Sequence, residues 1–235
     1  MCGRYASFMA PNEIQLAFDL DALGDETEGL APSWNVAPTQ DIAIVLERLT
    51  EASQSVSREL HMARWGLVPP WAKELGAGPV MFNARIETVA EKRTFAPSLK
   101  KRRCIVPANG YFEWEKTSSG KVPHYIHYAD GVPLAFAGLY GWWKAPDGSW
   151  LLSATIITRS AEGPMSRIHD RIPVILPRES YDQWLDPHLD DPEAARSIID
   201  VPSPELVADV VGKNVGNVRN NSPENIKPVS DETAH

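Results

Sequence analysis

Only two cysteines, Cys2 and Cys104, occur among 235 residues. A disulfide framework is therefore excluded as the source of stability, and a reducing compartment suits a thiol that must stay free. No apolar run approaches the roughly 20 residues that a membrane span needs. The chain does not open with a basic segment followed by an apolar one, so no secretory signal is expected and a cytoplasmic location is. Internal repeats and long low-complexity linkers are absent. No His, Cys, Asp and Glu cluster has metal-ligand spacing, and no glycine-rich phosphate loop is present. Neither a metal nor a cofactor is expected. Positive charge is scarce too: the formal net charge is -8, which at first sight argues against a nucleic-acid partner.

The distribution of charge changes that reading. Residues 179–235 hold 12 acidic and 4 basic side chains, and the rest of the chain balances at 19 of each. Within the balanced part, Arg85, Lys92, Arg93, Lys100, Lys101, Arg102 and Arg103 face only Glu87 and Glu91 over 85–103. Such a stripe can recruit phosphate, although a charge run alone more often marks a solvated helix face.

Apolar content of 43% in a 26.0 kDa chain is enough for a sizeable core. Alternation predicts strands at 2–8, 41–48, 59–67, 104–106, 111–115, 124–128, 134–144, 150–158 and 171–176. Pro146-Asp147-Gly148 reads as a hairpin turn, and Asn109-Gly110 as a turn between two strands. Helices are expected at 11–20, at 88–102 with Pro97 dividing it, at 178–185, at 192–200 and at 203–210. Many short strands with marginal helices indicate an α+β fold, one domain built on a largely antiparallel, barrel-like sheet with flanking helices. That domain is expected to span 1–224, with a loose acidic tail over 225–235.

Cys2 directly follows Met1, and aminopeptidases remove Met1 when the second side chain is small. The mature chain is then expected to begin with a 1,2-aminothiol. An α-amine near 7.7–8.0 and a thiol near 8.5, to roughly those values, are both partly deprotonated around neutrality. An aldehyde meeting this end forms an imine with the amine, and the thiol then closes a five-membered thiazolidine.

Four further segments are dense in polar and aromatic residues. Trp65 to Trp71 is a proline-rich loop holding two indoles. In Phe82-Asn83-Ala84-Arg85, alternation puts Asn83 and Arg85 on one strand face. In Tyr111-Phe112-Glu113-Trp114 a carboxylate sits inside an aromatic strand, where a raised pKa suits proton transfer. Ile168-His169-Asp170-Arg171 places a histidine at the mouth of an apolar strand. Singly, each has a structural reading: tryptophans pack cores, Glu113 pairs with an arginine, His169 caps or bonds internally, and Asn83 serves a turn.

Together they match a family pattern over nearly the whole chain. From Cys2 it runs through FNARIETVAEKRTF, RRCIVPANGYFEW, FAGLY, IITRSA and IHDRIPVILP to VGNVRNNSPENIKPV. The sequence resembles the SOS response-associated peptidase (SRAP) family of abasic-site processing proteins. Two departures stand out: Asn109 where the family often has Asp, and Tyr111-Phe112 in reversed aromatic order. Neither is expected to touch the reacting groups.

The resemblance implies an SRAP fold and a covalent link to abasic sites in single-stranded DNA, whose open sugar exposes an aldehyde. By it, the Cys2 amine and thiol form the thiazolidine, Asn83 orients the sugar or the Cys2 end, and Glu113 and His169 move protons. Arg4 and Arg85 are the expected phosphate contacts, and Trp65, Trp71 and Trp114 the candidate stacking platforms. A lyase side reaction and self-removal of Met1 are implied as secondary activities, and association with the nucleoid if the source is bacterial. No protein partner is indicated. Two other readings stay open. One is an N-terminal-nucleophile amidohydrolase or glutaminase using the Cys2 thiolate, with Asn109-Gly110 in an oxyanion hole. The other is a plain single-strand binding module.

Overall fold

The structure, a computed structural model, describes residues 2–49 and 55–229. In chain order its elements are β1 (Tyr5–Ser7), α1 (Pro11–Phe18), β2 (Ala22–Leu23), β3 (Ser33–Val36), β4 (Asp41–Leu49), β5 (Val56–Trp65), β6 (Asn83–Arg85) and α2 (Ala96–Lys101). There follow β7 (Arg103–Ala108), β8 (Gly110–Thr117), β9 (Gly120–His127), β10 (Leu134–Lys144), β11 (Trp150–Ser160), α3 (Met165–Ile168), β12 (Arg171–Pro173), α4 (Tyr181–Leu185), α5 (Pro192–Ile198) and β13 (Val207–Val210). Among the described residues no helix is long and apolar enough to cross a membrane.

The strands form two sheets. The larger runs β12-β11-β10-β7-β4-β5-β2. Its β5 also pairs in parallel with β11, at Arg64 with Ser153 and Trp65 with Ala154. That pairing closes β11-β10-β7-β4-β5 into a five-stranded barrel, which removes its free edges. The smaller sheet runs β13-β9-β8-β1-β3. The α+β, barrel-like architecture expected from alternation is the one observed.

The β10–β11 hairpin turns where its sequence says it must. Gly148 takes φ +89°, a left-handed conformation open to glycine at little cost. The Asp147 carboxylate accepts from the Ser149 amide at 2.9 Å and hydroxyl at 2.7 Å. Asn109 instead marks a change of sheet, because β7 belongs to the barrel and β8 to the smaller sheet. Gly110 has no room for a side chain there: a Cβ would lie 2.5 Å from the Tyr125 ring.

Three expectations need correction. The helix expected over 88–102 shrinks to α2, with 88–95 in turns. Pro97 occupies the first turn of α2, where its missing N–H is harmless. The helix expected over 203–210 is instead β13, paired antiparallel with β9 from Val207–His127 to Val210–His124; Pro202 and Pro204 favour extended backbone, and β9 offers an edge. The tail does not begin at 225. Asn225 is buried, Ile226 packs on the smaller sheet, and the Val229 amide donates to the Val210 carbonyl at 2.9 Å. Residues 230–235 lie outside the described residues.

Barrel strands have two apolar faces. One packs α1, α2, α4 and α5 through Ile14, Phe18, Leu99, Trp184 and Ile199. The other packs the smaller sheet through Tyr5, Trp65, Tyr111, Phe136 and Ile156, and this second cluster contains Cys2.

Candidate active site

The position of the chain's start follows from β1. It lies antiparallel to β8 with Tyr5 opposite Tyr111, and the Phe112 amide donates to the Arg4 carbonyl at 2.9 Å. Cys2 lies two residues before that bond, within electrostatic reach of Glu113. Cys2 is fully buried in the chain carrying residue 1. Burial pushes its thiol above the usual range, and the Glu113 charge adds to this; the Arg4 amide, hydrogen-bonded to the sulfur, opposes it.

Glu113 is 4% exposed. Burial raises its carboxyl to about 7, and the nearby Asp170 charge adds to the rise. A carboxyl there is divided between acid and base at neutral pH. His169 follows α3, its amide closing on the Met165 carbonyl at 3.1 Å. Its Nε2 stands 3.9 Å from Glu113 Oε2, too far for a direct hydrogen bond and suited to a reacting atom held between them.

Two groups compete for His169 Nδ1. The Arg171 amide donates to it at 3.0 Å, which requires a lone pair. Asp170 Oδ1 lies 2.8 Å away, which would require a proton. Asp170 is 86% exposed and water solvates it, so the amide governs. The neutral ring then carries its proton on Nε2, facing Glu113. Burial lowers the His169 pKa, which favours that neutral ring.

Asn83 begins β6, which lies parallel to β11 with Asn83 opposite Ile156. β5 leaves the β11 edge at Ala154 and β6 takes it up at Ile156, so loop 66–82 departs and returns at adjoining places. Asn83 Nδ2 donates to Phe82 at 3.0 Å and to Ile156 at 3.4 Å. Its Oδ1 is buried with no hydrogen-bond partner among the described residues. Such an acceptor costs about 1–3 kcal/mol, a cost expected where a donor arrives with the substrate. Phe82, Met165 and Ile168 pack on the cluster that holds Cys2, so the segments before Asn83 and His169 converge on the chain's start.

The expected DNA contacts are placed unequally. Arg85 is exposed at the end of β6, on the face it shares by alternation with Asn83. Trp71 is 45% exposed, with the Arg93 guanidinium 4.6 Å from its ring centroid. Arg4 is half-buried and donates from Nη1 to Asn35 at 2.8 Å and to the Val215 carbonyl at 2.7 Å. It lies 5.7 Å over the half-buried Trp114. Trp65 requires correction as a stacking platform. It is fully buried, set edge-on against Tyr5 and Phe82, and its indole N–H donates to the Phe82 carbonyl. No face is left for a base.

The basic stripe divides likewise. Arg85, Lys92, Arg93, Lys100 and Lys101 are exposed. Arg103 is buried and donates to the carbonyls of Leu99, Lys100, Trp184 and Asp186, which ties α2 to α4. The Asn109 amide donates to the Ala6 carbonyl at 2.8 Å, so it is unavailable for the oxyanion hole of the amidohydrolase reading. Among the described residues no three His, Cys, Asp or Glu side chains are placed to hold a metal ion.

Sequence reasoning missed two contributors. Arg171 grips Glu87 through both guanidinium ends, at 2.6 and 3.0 Å, and donates to the Thr158 carbonyl at 2.6 Å. It thereby fixes β12, and His169 ahead of it, to β11 and the turn after β6. Tyr111 lies on the same face of β8 as Glu113, fully buried in the Cys2 cluster. Its spacing of two from Glu113 was the available signal, and the charges of Cys2 and Glu113 both bear on its hydroxyl.

Known proteins resemble this chain in sequence and in fold. The profile of the SOS response associated peptidase (SRAP) family matches residues 1–218. Abasic site processing protein YoqW of Bacillus subtilis (strain 168) is 39% identical over 229 residues, covering 97% of this chain and 99% of the relative. Abasic site processing protein HMCES of Xenopus tropicalis is 32% identical over 259 residues, covering 95% of this chain and 77% of the relative. A crystal structure of a protein from Bacteroides thetaiotaomicron superposes with a TM-score of 0.79 at 25% identity, covering 96% of this chain and all of that one. The buried Cys2 beside a Glu113–His169 pair is thus set in a fold and a sequence that both lead to one assignment: the chain belongs to the SOS response associated peptidase family.

Proposed function

We propose that this protein processes abasic sites in DNA by bonding covalently to them through Cys2 once residue 1 is removed. The observation that carries the reading is the convergence of Glu113, with its carboxyl raised to about 7, and His169, 3.9 Å away, on the chain's start. The relatives YoqW and HMCES are named abasic site processing proteins, which supports the choice of substrate.

The chemistry balances without a cofactor. The Cys2 amine adds to the C1′ aldehyde of the opened sugar, forming a carbinolamine. Loss of its hydroxyl as water, with Glu113 or His169 supplying the proton, leaves an imine. The Cys2 S–H then adds across the C=N bond: sulfur bonds to C1′ and the thiol proton ends on nitrogen. Asn83 Oδ1 accepts a hydrogen bond from a sugar hydroxyl or from the amine. The imine also acidifies the adjacent carbon, which accounts for a lyase side reaction by β-elimination. The same acid/base pair serves self-removal of residue 1.

Single-stranded DNA is the partner that fits the substrate, because an unpaired lesion needs no unstacking of a duplex. Arg85 and Trp71 are its leading contacts by exposure, with Arg4 and Trp114 behind them. An oligonucleotide bearing one abasic site, mixed with processed protein and run on a denaturing gel, tests the reading. A shifted band that vanishes in Cys2→Ala is the expected result. Retardation on native gels alone leaves only a binding module, and glutamine turnover without a shift restores the amidohydrolase.

A further inference from the structure

Tyr111 is fully buried, and its hydroxyl has no hydrogen-bond partner among the described residues. A buried phenol ordinarily finds one. Its ring is fixed edge-on to Phe136 at 6.0 Å, so the hydroxyl is held in place. Tyr111 stands opposite Tyr5 on β1, three residues from Cys2, and two residues before Glu113 on the same strand face. Burial raises the phenol well above its ordinary value, and charges on Cys2 and Glu113 both add to this, as expected of a hydroxyl within electrostatic reach of both. Position 111 is also one of the two places where the sequence departs from the family pattern.

We propose that the Tyr111 hydroxyl donates a hydrogen bond to the Cys2 sulfur as the thiazolidine closes and reopens. This inference rests on the crosslinking reading above. A five-membered ring forces nitrogen and sulfur to the same side of the Cα–Cβ bond, so closure fixes where the sulfur sits. As the S–H proton leaves, negative charge gathers on sulfur in a buried site, where it is costly. The Tyr111 hydroxyl makes no hydrogen bond to the sulfur before closure; once closure brings the sulfur to it, this buried O–H donor offsets that cost. Tyr111 keeps its own proton throughout; the thiol proton passes to the imine nitrogen, and no oxidant or reductant is needed. The amine step makes no use of this donor.

Tyr111→Phe removes one oxygen that has no partner, so folding should be preserved; a melting curve at or above the wild-type midpoint checks this. Two adducts are then timed on a single-stranded abasic oligonucleotide. Borohydride traps the imine, and heating without borohydride leaves only the closed ring. The expected result is unchanged imine formation with ring closure slowed about tenfold or more, as losing a hydrogen bond to a charged group implies. In a Cys2→Ser background the second substitution should change nothing. Unchanged closure, or imine and ring slowed equally, overturns the proposal. If the wild type itself gives no heat-stable adduct, the crosslinking reading fails first, and this inference with it.

Discussion

Glu113 is where stability and chemistry oppose each other. Its carboxyl titrates near 4.5 ordinarily and near 7 here because it is buried. Between those values the unfolded chain has released the proton and the folded chain still holds it. The folded state therefore binds more protons, and stability falls as pH rises through that window. The full penalty, at most about 3 kcal/mol, is reached above pH 7. Glu113→Gln lacks this titration, so its melting advantage over wild type should grow from pH 5 to pH 8 while adduct formation collapses. An advantage that is constant with pH would show that Glu113 is not held protonated by its surroundings. Cys2→Ser argues at the same scale. It retains the amine but supplies a poorer ring-closing nucleophile, so it should give an adduct only after borohydride. A heat-stable adduct without borohydride would contradict ring closure through sulfur. These candidates were legible in the sequence as a carboxylate among aromatics and a thiol at the chain's start, but singly each also had a structural reading, and the roles came from the family pattern they form together. Trp65 misled because an indole in a proline-rich loop reads alike whether its face is open or covered. Burial is decided by β5 meeting β11, and no local pattern records that contact.

At the scale of elements, the alternating strands declared themselves, and the β10–β11 hairpin did so in full because its turn chemistry is local. Pairing partners did not. Nothing near Asn109 tells that β7 and β8 enter different sheets, and β13 read as a helix because a short segment takes its form from the edge it meets. The site depends on such pairings. β12 holds His169 in place through Arg171, whose side chain is 9% exposed while that of Glu87 is 46% exposed. Arg171→Ala breaks the grip on Glu87 and takes one of two donors from the Thr158 carbonyl, which keeps the Ile86 amide at 2.9 Å. It should cost about 1–2 kcal/mol, because the half-exposed Glu87 returns to water, and also slow adduct formation by loosening His169. Thermal melting and single-turnover adduct formation measure the two effects. A normal melting midpoint would mean that the grip contributes nothing to the fold.

For the whole molecule, net charge is a poor guide to its partner. The acidic C-terminal part sets the sum of -8, while the exposed cations of the 85–103 segment remain available for phosphate. If Arg85 neutralises one phosphate, Arg85→Ala should flatten the dependence of log affinity on log salt by about 0.7 for a single strand. The loss relative to wild type is then largest at low salt and shrinks as salt rises; an unchanged slope removes Arg85 from the interface. The central claim is a covalent bond formed through both nucleophiles of Cys2; imine and closed ring share one mass, so intact mass taken after heating without borohydride, which leaves only the ring, measures it most directly. Processed protein incubated with an abasic oligonucleotide should appear as one species whose mass is the sum of the two less a single water, stable to heat and absent for Cys2→Ala. Unchanged separate masses, or an adduct that persists in Cys2→Ala, would contradict the account.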